Sequence, residues 1–186
     1  FHATDDPPEV RQIMFKFITG LDLSLEVMVA RKIPGIYASK HNGREAEFYA
    51  DVLSHLIKNK LKMNRKLVLN IAQRANCTKN HNLDVALGKA KARASQKWKE
   101  DEMACDVVFN VQNQHTEPIL NIADYLCWPV QRVFERGETR YYDFIQDKIS
   151  RVVDLYDAKN YAGWKHYYKP RKNPLTAANK IDPHSA

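Results

Sequence analysis

Apolar residues recur along the chain with two different spacings. Helical spacing begins after Asp6-Pro7-Pro8-Glu9, where a capping residue, an early proline and an acid are typical of a helix start. It recurs at about 43–60, 82–98, 117–136 and 138–157. Alternating or continuous apolar runs predict strands at about 23–30, 66–72 and 106–112. This order predicts an α/β layered fold in which the three strands share one sheet and the last two are parallel.

Length and composition favour one domain without a membrane span. The chain has 186 residues, 44% of them hydrophobic, which is enough for one sizeable core. No run approaches the roughly 20 apolar residues that cross a bilayer, and no signal-peptide pattern precedes the first helix. Three cysteines without Cys-x-x-Cys spacing predict neither a disulfide framework nor a zinc knuckle. We therefore expect a cytoplasmic protein, and the start at Phe1 suggests a clipped fragment.

Positive charge is concentrated in the middle of the chain. The formal net charge is +7, but residues 58–99 contain twelve Lys and Arg and one acid, so they carry +11 and the rest carries −4. Such segregation is typical of a surface that binds polyanions, although a solvated basic face without function is the alternative. The candidate nucleic-acid-binding residues are Lys62, Arg65, Arg74, Lys89, Arg93 and Lys97.

Asp124 is the most informative single residue. On a helix its neighbours one turn away are Leu120, Cys127 and Trp128, so the carboxylate is expected on the apolar side. A buried carboxylate without a partner costs free energy and is usually kept for a cation, a hydrogen-bond network or catalysis. The alternative is a structural aspartate that pairs with a backbone amide or an arginine. Three further histidines show no ligand spacing and are interpreted as surface residues: His41, His55 and His81.

Two segments of the chain resemble one protein family. Leu120-Asn121-Ile122-Ala123-Asp124, followed by Ile145-Gln146-Asp147-Lys148-Ile149, resembles the C-terminal signature of the bacterial and phage family catalogued as domain of unknown function 3800. Phe1-His2-Ala3-Thr4-Asp5-Asp6 resembles the Glu-apolar-His segment before that family's first long helix. The resemblance covers most of residues 1–157, and residues 158–186 remain as a basic tail containing aromatics.

The resemblance implies a ribonuclease H-like mixed sheet flanked by helices, N-terminally truncated because the family's opening Asp-Glu-Ser-Gly strand is absent. Members of this fold gather carboxylates around divalent metals to cleave phosphodiesters. Asp124 then corresponds to the acid on the C-terminal helix, and His2 to the histidine of the Glu-apolar-His segment. Asn70 stands where such enzymes commonly place an acid, and it could offer one oxygen to a metal. The implied catalytic residues are Asp124, His2 and Asn70, with Mg or Mn held by Asp124 and Asn70.

These observations predict a metal-dependent nuclease or nuclease-like domain acting on DNA or RNA. The alternatives are a catalytically inactive ribonuclease H-like module that binds nucleic acid or protein, and an enzyme on a small phosphorylated substrate. A protein partner or a second copy of the chain is a further expectation. We expect Asp124 to lie near both His2 and Asn70. In the tail, Trp164, Tyr167 and Tyr168 could stack on bases or strap the tail onto the domain.

Overall fold

Helices and strands form in an order close to the predicted one. The computed structural model describes residues 2–63, 65–113 and 116–181. The α-helices of this described part are α1 (Pro8–Thr19), α2 (Pro34–His41), α3 (Glu45–Ile57), α4 (Lys60–Met63), α5 (Asn80–Ala94), α6 (Pro118–Arg136) and α7 (Arg140–Ile145). Its strands are β1 (Leu25–Val29), β2 (Lys66–Ala72), β3 (Asp106–Gln112), β4 (Ile149–Asp154) and β5 (Tyr167–Tyr168). The fold is therefore mixed α/β, as predicted.

The chain divides into two compact units. Unit 1 consists of Phe1–Arg31 and Pro118–Ala186, and unit 2 consists of Lys32–Glu117. Each unit has its own sheet and its own cluster of buried apolar side chains. The tail predicted after residue 157 contributes β5 to the sheet of unit 1.

Unit 1 contains a three-stranded sheet in the order β1-β4-β5. β1 and β4 are parallel, with Val27 opposite Val152, and β5 is antiparallel to β4, with Tyr168 also opposite Val152. The predicted helix over 138–157 is wrong in this region. Helix α7 ends at Ile145, and β4 follows because Ile149, Val152 and Val153 are β-branched residues that favour strands and are all buried.

The core of unit 1 is built around an aromatic side chain of α1. The ring of Phe15 lies 5.6 Å from that of Tyr125, 6.4 Å from that of Trp128 and 5.4 Å from that of Tyr141. All four side chains are buried. Because each buried aromatic removes about 150–250 Å² of surface from water, this cluster fixes α6 against α1. It thereby fixes the position of Asp124 on α6.

Unit 2 contains β2 and β3 as a parallel pair, from Lys66 opposite Asp106 to Ala72 opposite Gln112. Its core lies between α3 and α5, around buried Ile57, Leu61, Ala90 and Ala94. The predicted parallel pairing of these two strands is confirmed. The prediction that all three strands share one sheet is wrong, because β1 pairs with β4 in a separate sheet. β4 was not predicted, since residues 138–157 were interpreted as a helix.

Candidate functional site

Asp124 lies beside the N-terminal segment of the chain. Its Oδ2 accepts a hydrogen bond from the backbone N–H of Ala3 at 2.9 Å and lies 3.6 Å from His2 Nδ1. The hydrogen bond connects two residues that are 121 positions apart in the sequence. The expected proximity of Asp124 and His2 is therefore observed.

Several interactions hold this N-terminal segment in place. Ala3 is fully buried, and Arg11 donates to the carbonyls of Ala3 (2.7 Å) and Thr4 (3.0 Å). Asp6 accepts hydrogen bonds from the backbone N–H of His2 (3.0 Å) and from the hydroxyl of Tyr125. Burial and the bond to Asp6 raise the pKa of the Tyr125 hydroxyl. The placement of His2 next to Asp124 thus follows from contacts on both sides of the segment.

The surroundings of Asp124 are less apolar than predicted. Leu120 and Trp128 are buried as expected, but Cys127 is exposed and the Asp124 side chain is 26% exposed. The expectation of an enclosed carboxylate was wrong because the polar segment around His2, and not a further apolar element, covers this part of α6. The pairing with a backbone amide is the structural alternative considered from the sequence, and it is present.

Candidate metal donors near Asp124 are few. His2 Nδ1 lies 3.6 Å from Asp124 Oδ2 and 3.9 Å from Asp5 Oδ2. Within residues 2–63, 65–113 and 116–181, no group of three or more His, Cys, Asp or Glu is arranged to hold a metal ion. The described residues therefore offer Asp124 and His2 as a two-residue donor set.

Asn70, the third predicted catalytic residue, belongs to unit 2. It is exposed on β2, and its side-chain oxygen accepts a hydrogen bond from the Asn110 amide at 3.3 Å. The two residues are opposite each other in the parallel register of β2 and β3. A role for Asn70 as a ligand beside Asp124 remains a prediction.

The six candidate nucleic-acid-binding residues all lie in unit 2, but half of them form ion pairs. Acids from outside the basic window partner three of them: Lys62 with Glu102, Arg74 with Glu45, and Arg93 with Asp51. No ion pair within the described residues involves Arg65, Lys89 or Lys97. Because α5 ends at Ala94, Lys97 lies in the following turn and not on the helix that carries Lys89.

Arg93 is a structural residue of unit 2. It donates to the buried carboxylate of Asp51, which is 2% exposed, and to the hydroxyl of Ser54 at 2.7 Å. Lys40 lies 3.1 Å from the second oxygen of Asp51. Burial alone would raise the pKa of the Asp51 carboxyl, but the bonds and charges of Lys40 and Arg93 outweigh burial and lower it.

This buried polar cluster was not predicted from the sequence, and it includes one histidine that was predicted at the surface. His41 is fully buried, with its Nε2 3.9 Å from Asp51 Oδ2, so its interpretation as a surface residue was wrong. Burial is the main cause of a lowered pKa at both His41 and His55, and the pKa of His55 falls to about 4. A usable signal was present, because Phe48, Asp51 and Ser54 follow the apolar i, i+3 spacing of α3.

The tail is anchored to unit 1 and also exposes aromatic rings, while stacking on bases remains a prediction. Tyr168 and Leu175 are buried and anchor the segment to unit 1. Trp164 is 68% exposed and Tyr161 is 46% exposed. We call Tyr161, Trp164, His166 and Tyr167 the tail cluster, because their rings contact one another.

The chain significantly matches no protein-family model, no curated protein and no solved structure. In the described part of the chain, no helix is both long enough and apolar enough to cross a membrane.

Proposed function

We propose that the chain acts on DNA or RNA as a ribonuclease H-like domain, a metal-dependent nuclease or nuclease-like domain. The meeting of Asp124 with His2 carries this proposal. The two residues belong to the two segments that resemble the family catalogued as domain of unknown function 3800. A chance likeness between two short, distant motifs would not require them to converge in space, so their contact supports the resemblance.

The donor set fits a weakly held divalent ion. Mg²⁺ is usually bound through one or two carboxylates and keeps several waters, and imidazole nitrogen is an additional ligand for Mn²⁺. Asp124 retains acceptor capacity, because an ionised carboxylate offers about four lone-pair sites and the Ala3 N–H uses one. Asp124 and His2 would hold the ion, which when bound supplies Lewis-acid stabilisation to a phosphodiester.

The chain's own residues prepare this site before any ion binds. Arg11 and Asp6 fix the turn that carries His2, and the core aromatics fix the helix that carries Asp124. Such pre-positioning lowers the cost of orienting ligands. In unit 2, Arg65, Lys89 and Lys97 remain available for phosphates, which supports a polyanionic substrate.

One observation favours the inactive binding module as the second candidate. Asp124 already has a structural partner in the Ala3 N–H, and among the described residues no group of three or more His, Cys, Asp or Glu is arranged to hold a metal ion. A module of this kind would bind nucleic acid without cutting it.

The test compares Asp124→Asn with a matched control. The Asn oxygen can still accept the Ala3 N–H, so the N-terminal segment stays in place while the negative charge is removed. Asp143→Asn removes an equivalent charge from an exposed position on α7 of the same unit. Labelled single-stranded and duplex DNA and RNA are incubated with each protein in Mg²⁺, Mn²⁺ or EDTA.

The proposal predicts metal-dependent cleavage that Asp124→Asn abolishes and Asp143→Asn preserves. The melting temperature of Asp124→Asn without metal should equal or slightly exceed that of the unsubstituted chain, because a half-buried charge is removed. Metal-dependent cleavage that survives Asp124→Asn would refute the site. Tight binding without cleavage under any metal condition would favour the inactive module.

A further inference from the structure

The tail cluster forms a second candidate surface for nucleic acid, outside the Asp124 site. We propose that residues 158–172 bind a single-stranded nucleic acid, with the indole of Trp164 stacking on a base and the neighbouring cations contacting phosphates. This inference rests on the proposed function for its class of ligand, but its test does not depend on metal or on Asp124.

The exposed indole of Trp164 is held by neighbouring rings, so that it can serve as a stacking surface for a base. It is 68% exposed, whereas Trp128 in the core is 6% exposed. Its ring stacks on that of His166 at a centroid distance of 6.0 Å and an interplanar angle of 28°, and Tyr167 contacts it edge-on at 5.6 Å. His166 is buried, so the stack is fixed from below while most of the indole stays accessible.

The backbone holds Trp164 in this position at a cost. Gly163 and Trp164 have φ values of +67° and +60°, which are in the left-handed region. Glycine adopts this region readily, but a bulky L-residue rarely does. An exposed indole recovers little of that cost through burial, and such conformations concentrate at binding sites. The conformation is fixed in part by the Trp164 N–H, which donates to the Tyr161 carbonyl at 3.1 Å.

The surrounding charge is positive. Residues 158–172 contain five Lys and Arg and no acid. Four of these cations are exposed and form no ion pair within the described residues: Lys165, Lys169, Arg171 and Lys172. Three of these cations, Lys169, Arg171 and Lys172, line an open cleft of about 310 Å³. Asp147 contributes the one carboxylate among the described residues that line it. Asp154 and Asp157 act on Tyr161, but Arg31 pairs with both, so the net charge around the tail cluster is positive and favours an anion.

Asn173 holds the cationic turn next to the aromatic platform. Its carbonyl accepts the Lys169 N–H at 2.8 Å, and its side-chain amide donates to the carbonyls of Lys165 and Tyr167, each at 3.0 Å. The turn carrying Arg171 and Lys172 is thus tied to the residues that flank Trp164. A rigid arrangement of this kind orders few new groups when a ligand binds.

This combination favours single strands over duplexes. In a duplex the base faces are stacked on each other, whereas single strands offer a base face and flanking phosphates together. Aromatic stacking with adjacent cations is how proteins bind single strands without reading sequence. An acidic vesicle surface would use the cations but would not require a stacked indole.

The test measures binding of a fluorescein-labelled oligothymidylate by anisotropy in EDTA, with a duplex of equal length as comparison. Trp164→Ala should weaken single-strand binding about tenfold, as expected for loss of one stacked base. Trp164→Phe should recover part of the affinity, and Phe17→Ala, which removes another exposed aromatic of unit 1, should leave it unchanged. Replacing Lys169, Arg171 and Lys172 by serine should lower the slope of log affinity against log salt by about 2.

Equal affinity of Trp164→Ala and the unsubstituted chain would overturn this inference, as would a preference for the duplex. Binding of phosphatidylserine vesicles that depends on Trp164, without oligonucleotide binding, would also overturn it. Because these measurements contain no metal, loss of affinity in Trp164→Ala together with cleavage that survives Asp124→Asn would retain this surface and refute the metal site.

Discussion

Removal of Arg93 tests whether the basic window of unit 2 is a binding face or part of the fold. Arg93→Met keeps the length and much of the apolar stem of the side chain but removes its charge. Asp51, which is 2% exposed, would then lose its guanidinium partner, and the Ser54 hydroxyl would lose a 2.7 Å hydrogen bond. Breaking a buried ion pair in this way costs about 3–5 kcal/mol.

The expected cost lies near the lower end of that range. Lys40 remains 3.1 Å from Asp51 and compensates part of the buried charge, so we expect a loss of about 3 kcal/mol in the free energy of unfolding. The matched control is Lys97→Met, which removes an exposed cation of the same window and should change stability by less than about 0.5 kcal/mol. Urea unfolding followed by far-UV circular dichroism, with hydrogen exchange of the α3 amides, measures both variants.

A double-mutant cycle with Asp51→Asn sharpens the result. The cost of Arg93→Met should fall to about 1 kcal/mol in the Asp51→Asn background, because the buried charge is already gone. Equal stability losses for Arg93→Met and Lys97→Met, or an unchanged cost in the Asp51→Asn background, would refute the assignment of Arg93 as a structural residue.

Two further predictions concern unit 2. Burial, with the charges of Arg93 and Lys58, lowers the pKa of His55 from its ordinary value of 6.5 to about 4, so its stabilising effect is complete above about pH 6.5 and is lost as pH falls through about 4. His55→Gln should therefore lose less stability between pH 7.5 and pH 4.5 in urea titrations than the unsubstituted chain, and an identical pH dependence would contradict this reasoning. Replacing Lys89 and Lys97 by glutamate should weaken duplex binding at low salt and lower the salt slope by at least about 1.5 in anisotropy titrations. Unchanged binding in a folded variant would locate the phosphate contacts elsewhere.

Local pattern predicted most of the helices, the first three strands and the parallel pairing of β2 with β3, but not the pairing of β1 with β4. The parallel register of β2 and β3 follows from two apolar strands joined through a helix. The segment at 149–154 was misassigned because Val152 and Val153 fit either a helix or a strand until a partner is known. Pairing with β1 makes this segment a strand. The two strands are far apart in sequence: the Ser150 hydroxyl donates a hydrogen bond to the Leu25 carbonyl, 125 positions away.

The candidate site shows the same division. Asp124 and His2 could be selected as site residues from the sequence, because both match positions of the family that the chain resembles. The partner of Asp124 could not be predicted, because the Ala3 N–H is a backbone group and almost every residue has one. The role of Arg93 was hidden for a related reason: its acid, Asp51, is 42 positions away and outside the window whose charge drew attention.

The proposed function requires Asp124 and His2 to form a divalent-metal site. It is tested most directly by titrating the ¹⁵N-labelled chain with Mn²⁺ and recording amide spectra, since paramagnetic broadening detects even weak binding close to the ion. The amides of Ala3, Asp124 and Tyr125 should broaden first, and Asp124→Asn should remove this effect while Asp143→Asn does not. Broadening centred elsewhere in the chain, or unchanged by Asp124→Asn, would contradict it.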